Sequence, residues 1–277
     1  MLNKPIFISF SGGRSSALTA RILVEHYGKE NCIILFANTG KEQEETYDFV
    51  KECAENWNYN IIWIEATFEK YNGSKSQRDC IGFKVVDSTN FRRNNRNVKM
   101  GSVPYGNMID AYEMIPNRMA RFCTEYLKVI PMQKYLSSIG LGVNDYYTAM
   151  GIRFDEPLRV KKHPDKLLPL HDHQITKQNV LDWWKKQSFD LQLQEHEGNC
   201  DLCPLKSERK IKTLIAENQG IENWWKEYES KYESSFNSKT LDELKHLSQL
   251  RFSRYHENTQ QNELFGSDVE ISCFCGD

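Results

Sequence analysis

The chain lacks the marks of several protein classes. Its longest uninterrupted apolar stretches, such as 33–37, run to about five residues, against the roughly 20 that a bilayer-spanning helix needs, so no membrane span is expected. Neither charge sign dominates: 36 basic and 38 acidic residues leave a net charge of −2, which excludes a histone-like polycation. Eight cysteines in 277 residues are too few for a disulfide scaffold. There is no internal repeat. Met1-Leu2-Asn3-Lys4 passes straight into a strand-like run, without a basic segment, apolar core and cleavage site, so no secretory signal is visible and a cytoplasmic location is expected. What is present is 39% hydrophobic and 12% aromatic residues, enough for a sizeable core, in a length that suits one large α/β domain or two modest ones.

The first 66 residues read as β-loop-α-β-α-β. Pro5 to Phe10 is a short apolar run that stops at Ser11-Gly12-Gly13, and a helical pattern follows with Ala17, Leu18, Ile22, Leu23 and His26 on one face. Ile33 to Ala37 is again continuously apolar, as a strand buried on both faces of a parallel sheet requires. Glu42, Glu44 and Glu45 stand where a helix N-terminus favours negative charge, and Phe49, Val50, Cys53 and Trp57 continue that helix. Ile61 to Ile64 makes a third strand and Tyr146 to Met150 a fourth. Helical character marks 109–114 and 123–139, and returns after Cys203 as far as about Arg254. The expected fold is α/β: a doubly wound, mostly parallel, Rossmann-like sheet with a mainly helical C-terminal extension. The expected division is a nucleotide-binding α/β domain over 1–190 and, over 191–277, a Cys-x-x-Cys segment, a helical region and a Cys-bearing tail.

Between 71 and 105 the pattern breaks. Lys84, Arg92, Arg93, Arg96 and Lys99 face only Asp87, a local charge of +4, with Asn90, Asn94, Asn95 and Asn97 interspersed. This reads as a basic loop for a polyanion such as tRNA or DNA, or as a solvated loop with no ligand.

Ser9-Phe10-Ser11-Gly12-Gly13-Arg14-Ser15-Ser16 joins a buried strand to a helix. Glycines let the backbone turn tightly and bring N–H groups to an anion, the helix N-terminus adds partial positive charge, and the serine hydroxyls add donors. The lysine and spacing of the common nucleotidase loop are absent. A glycine turn capped by serines is the alternative.

The loop resembles the S-G-G-x-D-S pyrophosphate loop of ATP pyrophosphatases, the adenine nucleotide α-hydrolase superfamily, with Ser15 in place of the aspartate. Phe36-Ala37-Asn38-Thr39-Gly40 with Glu45-Thr46-Tyr47 and Phe49 is similar to the D-T-G-x(4)-E-T-Y-x-F stretch of phosphoadenosine phosphosulfate (PAPS) reductases, Asn38 replacing the aspartate. Cys123 to Met132 resembles their C-x(4)-K-V-x-P segment. Gly151-Ile152-Arg153-Phe154-Asp155-Glu156 with Arg159 resembles their G-x-R-x-[D/E] turn and following arginine, and Leu168-Pro169-Leu170 through Trp184 the stretch that closes the domain. The resemblance implies an adenosine nucleotide, ATP or PAPS/adenylylsulfate, lying across the carboxyl ends of the strands, with Mg2+ as an accompanying ion. Ser9, Ser11, Gly12, Gly13, Ser15 and Ser16 would surround phosphate, and Arg14 would offset its charge. Asn38, Thr39, Gly40 and Gly151 would lie near the nucleotide, and Lys128, Arg153 and Arg159 would meet phosphate or sulfate oxygens.

Cys200-Asp201-Leu202-Cys203 places two thiolates for one metal. Iron–sulfur members of the family pair a Cys-Cys dipeptide with a later C-x-x-C, and Cys123, 77 positions earlier, stands where that dipeptide would be, but as Phe122-Cys123. An iron–sulfur cluster on Cys123, Cys200 and Cys203 is expected, with Cys275, Cys273 or Cys80 as a further ligand. Structural zinc, with His171 or His173, and free thiols stay open. Cys32 and Cys53 read as packing residues, and His171-Asp172-His173 as a polar turn after a strand end. PAPS reductases attack with a tail cysteine in an E-C-G-[I/L]-H context. Here Cys273-Phe274-Cys275-Gly276-Asp277 lacks the histidine, so Cys273 and Cys275 are either catalytic thiols, acting with Arg153, or tail residues of no consequence.

Three functions follow. The first is ATP-dependent adenylation of an acceptor such as tRNA or DNA, then sulfur transfer from a donor protein. The second is PAPS or adenylylsulfate reduction to sulfite through a tail thiolate, with a thioredoxin-like reductant. The third is a non-catalytic, metal-stapled nucleotide-binding module.

Overall fold

The computed structural model describes residues 3–70, 73, 76–93, 99–198, 200–234 and 239–255. Five strands, β1 (Ile6–Phe10), β2 (Cys32–Asn38), β3 (Ile61–Phe68), β4 (Ile81–Val86) and β5 (Tyr147–Ala149), form one sheet in the order β4-β3-β2-β1-β5. β1 pairs in parallel with β2 (Ile8 opposite Ile34) and with β5 (Ile8 opposite Ala149), β2 pairs in parallel with β3, and β4 runs antiparallel at the edge. The inner strands are continuous apolar runs because alternate side chains go to two cores. Ile6, Ile8, Phe10, Ile34, Phe36, Ile61 and Trp63 enter one core, while Phe7, Leu35, Ala37 and Ile64 enter the other.

Helices α1 (Arg14–Tyr27) and α2 (Glu44–Trp57) cover the first of these faces, joined by α8 (Lys177–Trp184). Trp184, 1% exposed, donates its indole N–H to the Arg14 carbonyl at 3.1 Å and meets the Phe49 ring at 4.9 Å. On the opposite face Met132 and Leu136 of α5 (Ile130–Ser138) complete the core. α5 continues from the short α4 (Phe122–Thr124) through a π-helical turn, Glu125–Val129. Pro131 explains the wide turn: it has no N–H to give the Leu127 carbonyl, so regular α-helical bonding fails there.

A third core joins α3 (Pro104–Tyr112) to residues after 200: Tyr105, Met108 and Ile109 pack with Cys200, Leu202, Cys203 and with α9 (Glu208–Glu217), α10 (Asn223–Tyr232) and α11 (Leu241–Gln249). Two single turns, α6 (Pro157–Val160) and α7 (Pro169–Asp172), lie between β5 and α8. Among the described residues no helix is long and apolar enough to cross a membrane.

The fold is the expected doubly wound α/β sheet with C-terminal helices. Three local expectations are corrected. β4 lies inside the span where no pattern was visible; only Ile81 and Val86 of it are buried, so its edge position erased the apolar signal. Leu168-Pro169-Leu170 is not a strand end: Leu167 makes a single parallel bridge to Ala149, and Pro169 then opens α7. Glu42 precedes α2 and is buried in the loop after β2.

Candidate nucleotide and thiol site

The loop after β1 is held tightly. Gly12 has φ +81°, and a Cβ on it would lie 2.6 Å from Thr46 Cγ2 on α2, so both backbone and space demand glycine. Ser16 Oγ accepts from the Ser11 N–H (3.2 Å) and hydroxyl (3.0 Å) and donates to the Gly13 carbonyl (2.8 Å). α1 then starts at Gly13 with no side-chain cap on its first N–H groups, the arrangement that suits an anion at a helix N-terminus.

β1 has β2 on one side and β5 on the other, so the strand order reverses at β1, where open α/β sheets form their ligand crevice. The turn after β5 closes against the glycine loop there. A Cβ on Gly151 would lie 2.8 Å from Ser16 N and 3.0 Å from Ser15 O. Arg153 donates from Nη1 to Ser15 Oγ at 3.3 Å and from Nε to Asp155 at 3.2 Å, while buried Arg159 pairs with Glu156 at 2.5 Å. The Arg14 guanidinium clasps Asp190 at 2.7 and 3.0 Å, which ties the 190–193 segment to α1, and Arg14 lines one pocket with Ser15 and Arg153.

At the end of β2, Asn38 is fully buried; it donates to Glu65 Oε1 at 2.8 Å and to the Arg92 carbonyl at 2.7 Å, and accepts from the Gly40 N–H at 2.9 Å. Glu65 is also fully buried and pairs with Arg92 Nε at 2.6 Å. An aspartate at 38 would set two carboxylates together, so the amide here has a physical reason. Arg92 is accordingly an internal clasp, and Arg93 pairs with Glu44 at 3.1 Å. Two charges of the basic loop are thus neutralised locally, and residues 94–98, including Arg96, lie outside the described residues.

Thr39 donates its N–H (3.1 Å) and hydroxyl (2.7 Å) to buried Glu42, which also accepts from Tyr47 at 3.2 Å. Thr39 Oγ1 lies 3.9 Å from Cys200 Sγ, and Glu42 forms an isolated antiparallel bridge with Cys200. Cys200 and Cys203 are buried, Cys123 is half-buried, and all three surround the buried Tyr105 ring. Burial and then the neighbouring Cys123, Cys200 and Cys203 push the Tyr105 phenol well above its usual range, and a hydrogen bond links it to Cys123. Burial, then Glu42, raises the Cys200 thiol; Lys128, on the π-helical turn, opposes this. The C-x-x-C turn is secured by two lysines. Lys41 pairs with Asp201 at 2.7 Å, both almost wholly buried, and lies 4.2 Å from the Trp224 ring centre. Lys206 donates to the carbonyls of Cys200 (3.0 Å) and Asp201 (3.2 Å).

The structure therefore brings Cys123, Cys200 and Cys203 together as three soft donors with no disulfide. Among the described residues, however, no three His, Cys, Asp or Glu side chains converge on one ion, so the thiols as placed do not form a closed metal centre. Cys273 and Cys275 lie outside the described residues. His171 sits on α7, 3.4 Å from its neighbour Asp172, in a single helical turn where the sequence suggested a polar turn after a strand end. Lys41, Glu42, Glu65, Tyr105 and Lys206 are absent from the sequence-derived candidates. For Lys41 and Glu42 the signal was adjacency to Thr39-Gly40; for the others no local pattern points to the site.

Comparison with known proteins agrees with this layout. A phosphoadenosine phosphosulfate reductase domain model matches residues 5–80, from β1 to the start of β4, and ends before Cys123. The uncharacterized nin region protein ORF290 of Escherichia phage lambda is 33% identical over 222 residues, covering 79% of this chain and 72% of that protein. The glycine loop, the Asn38–Gly40 turn and the strands β1, β2 and β3 that carry them fall within the domain match, and the chain belongs to the phosphoadenosine phosphosulfate reductase family.

Proposed function

We propose that the protein is an ATP-dependent sulfur-transfer enzyme. The observation that carries this reading is the contact between the two halves of the site: Thr39, at the nucleotide end of β2, touches Cys200 at 3.9 Å. A nucleotide on the glycine loop and a sulfur at the thiols would then share one end of the sheet. An acceptor oxygen attacks the α-phosphorus, and pyrophosphate leaves against Gly12, Gly13, Ser15 and Ser16. Hydrosulfide, or the outer sulfur of a persulfide brought by a donor protein, then attacks the acceptor carbon. The C–O bond breaks, and AMP departs with the oxygen. With a persulfide donor, a thiol cleaves the remaining S–S bond and a disulfide is formed. Arg153, which bonds Ser15, is the cation beside the loop that would balance the phosphate charge, and Arg159, paired with Glu156, is proposed with it on the family resemblance alone. A nucleic acid, tRNA or DNA, is the proposed acceptor, and the exposed cations that support it are Lys84 on the edge strand β4 and Lys99. Cys123, Cys200 and Cys203 are the proposed holders of an iron–sulfur cluster or zinc on donor chemistry alone; no step above runs through a metal.

The family match favours a second reading, reduction of PAPS or adenylylsulfate to sulfite through Cys275 or Cys273, with a thioredoxin-like dithiol restoring the thiol. One set of assays on protein purified without oxygen separates them. Release of pyrophosphate from ATP that depends on an added tRNA or DNA acceptor, followed by release of AMP that depends on a sulfur donor and is lost in Cys200→Ser, supports the first. Sulfite release from PAPS or adenylylsulfate, lost in Cys275→Ser, replaces it with the second. Tight nucleotide binding without either product would leave a binding module.

A further inference from the structure

A cavity of about 750 Å³ opens at the carboxyl end of β3, between Phe68 and α3. This is within the roughly 300–1,000 Å³ of ordinary ligand pockets. Two properties define what fits it. The first is charge. Arg92 is neutralised by Glu65 at 2.6 Å, and Asp110 by Lys231 at 2.6 Å with added hydrogen bonds from Tyr232 (2.8 Å) and Tyr228 (3.1 Å). Lys70 and Glu113 remain on the wall with opposite signs. Among the described residues the wall therefore carries no excess positive charge with which to hold a phosphate or sulfate.

The second property is its aromatic wall. Phe68 and Tyr112 are half-buried and 6.2 Å apart, and Tyr112 continues into Tyr126 at 4.9 Å and Phe122 at 6.1 Å. Cys123 follows Phe122 directly, so this row of rings leads from the cavity to the thiols. Asn107 and Gln77 also line the cavity; the Asn107 amide accepts from Arg92 and donates to the Gly101 carbonyl, and the Gln77 carboxamide oxygen accepts from Tyr126, which leaves the Gln77 NH2 as the polar edge of this wall. On the other side, Arg92 links its wall through Glu65 to Asn38 at the nucleotide end of β2. An uncharged, flat group with hydrogen-bonding edges is what such a site takes.

We infer that this cavity receives a nucleobase of the acceptor, stacked on one of two perpendicular rings, Tyr112, with its edge toward the other, Phe68, beside both the nucleotide end of the sheet and the thiols. The inference rests on the sulfur-transfer reading for its purpose, but binding can be measured without turnover. The same base chemistry occurs in a free nucleoside and in a single strand, so both serve as probes: the four nucleosides, and short single-stranded DNA and RNA with a duplex as control.

Titration of the full chain is expected to show binding of a nucleoside or single strand over duplex. Tyr112→Leu should weaken it roughly 5- to 100-fold, the worth of one base–aromatic stack, while Tyr112→Phe, which keeps the ring and loses only the hydroxyl bond to the Gln77 carbonyl (2.9 Å), retains it. Ala111→Phe, which fills the cavity from the same wall, should weaken binding independently; thermal unfolding checks that each variant is folded. Unchanged affinity in both Tyr112→Leu and Ala111→Phe overturns the inference. So does displacement of the probe by ATP, which would give the cavity to the adenine of the nucleotide. If ATP binds the glycine loop and no base probe binds, this inference fails and the sulfur-transfer reading survives. If base probes bind in a Tyr112-dependent way and ATP does not, the reverse holds.

Discussion

Replacing Gly151 with alanine tests the junction on which the nucleotide reading depends. The new methyl carbon would sit 2.8 Å from Ser16 N, 2.9 Å from Ser15 C and 3.0 Å from Ser15 O, where ordinary contact begins near 3.4 Å. All three atoms are backbone, so no rotamer change relieves the overlap, and the turn after β5 must move about 0.6 Å from the first turn of α1. Overpacking of this kind costs about 1–3 kcal/mol, a fall in Tm of roughly 2–12 °C for a chain of this size. A shift of about 0.6 Å withdraws donors from a phosphate on this turn, and loss of one charge-assisted hydrogen bond, about 1.5 kcal/mol, should weaken pyrophosphate and ATP on the order of tenfold. Calorimetric titration with both ligands, beside thermal unfolding, measures the two effects on one sample. An unchanged Tm with unchanged affinity would refute the packing of the two turns. A lowered Tm with full affinity would keep the packing and remove the phosphate from this loop.

Further outcomes follow from the buried charges. Lys41→Met or Asp201→Asn alone should cost about 3–5 kcal/mol in denaturant unfolding by stranding a buried charge, while the double variant should recover part of that loss. Asn38→Asp would set a carboxylate beside buried Glu65, costing about 3 kcal/mol at neutral pH. One carboxyl of the pair then has a raised pKa, so the variant should regain stability as pH falls, and a pH-independent loss would contradict this. Burial opposes ionisation of Glu195, but its hydrogen bond from Lys177, the charges of Lys210 and Lys177, and Tyr255 win, bringing it from 4.5 to about 2. Because the folded value is the lower one, its contribution is complete above 4.5 and is lost as pH falls from there toward 2. Glu195→Gln should therefore flatten the acid-unfolding profile in that window.

The parts of the fold that were legible are those whose physics is local. β1, β2 and β3 are buried on both faces, which leaves continuous apolar runs, and the glycine loop needs glycine at 12 for a conformation and a clearance that no other residue meets. β4 was silent because an edge strand with four of six residues at least partly exposed carries no such run. The grouping of Cys123 with Cys200 and Cys203 was readable from residue type and family order, but Tyr105 between them was not, since its partners lie 18 and nearly 100 positions away. Charge was the least legible property. Arg14 and Arg92 count as two free cations in the sequence, and each proves to be half of an ion pair whose other half, Asp190 or Glu65, belongs to a distant segment.

The π-helical turn at Glu125–Val129 has a consequence for how the thiols are aimed. With about 100° of rotation per residue along an α-helix, one extra residue in a turn reorients everything on its N-terminal side relative to everything after it. On the far side Met132 and Leu136 remain locked under the sheet, while on the near side Phe122, Cys123, Tyr126 and Leu127 face the core built around α3 and the C-x-x-C turn. One rod is thus keyed into two cores at different angles. Removing a single residue from 125–129 would leave every side chain of the thiol cluster in place in the sequence and still swing Cys123 out of it.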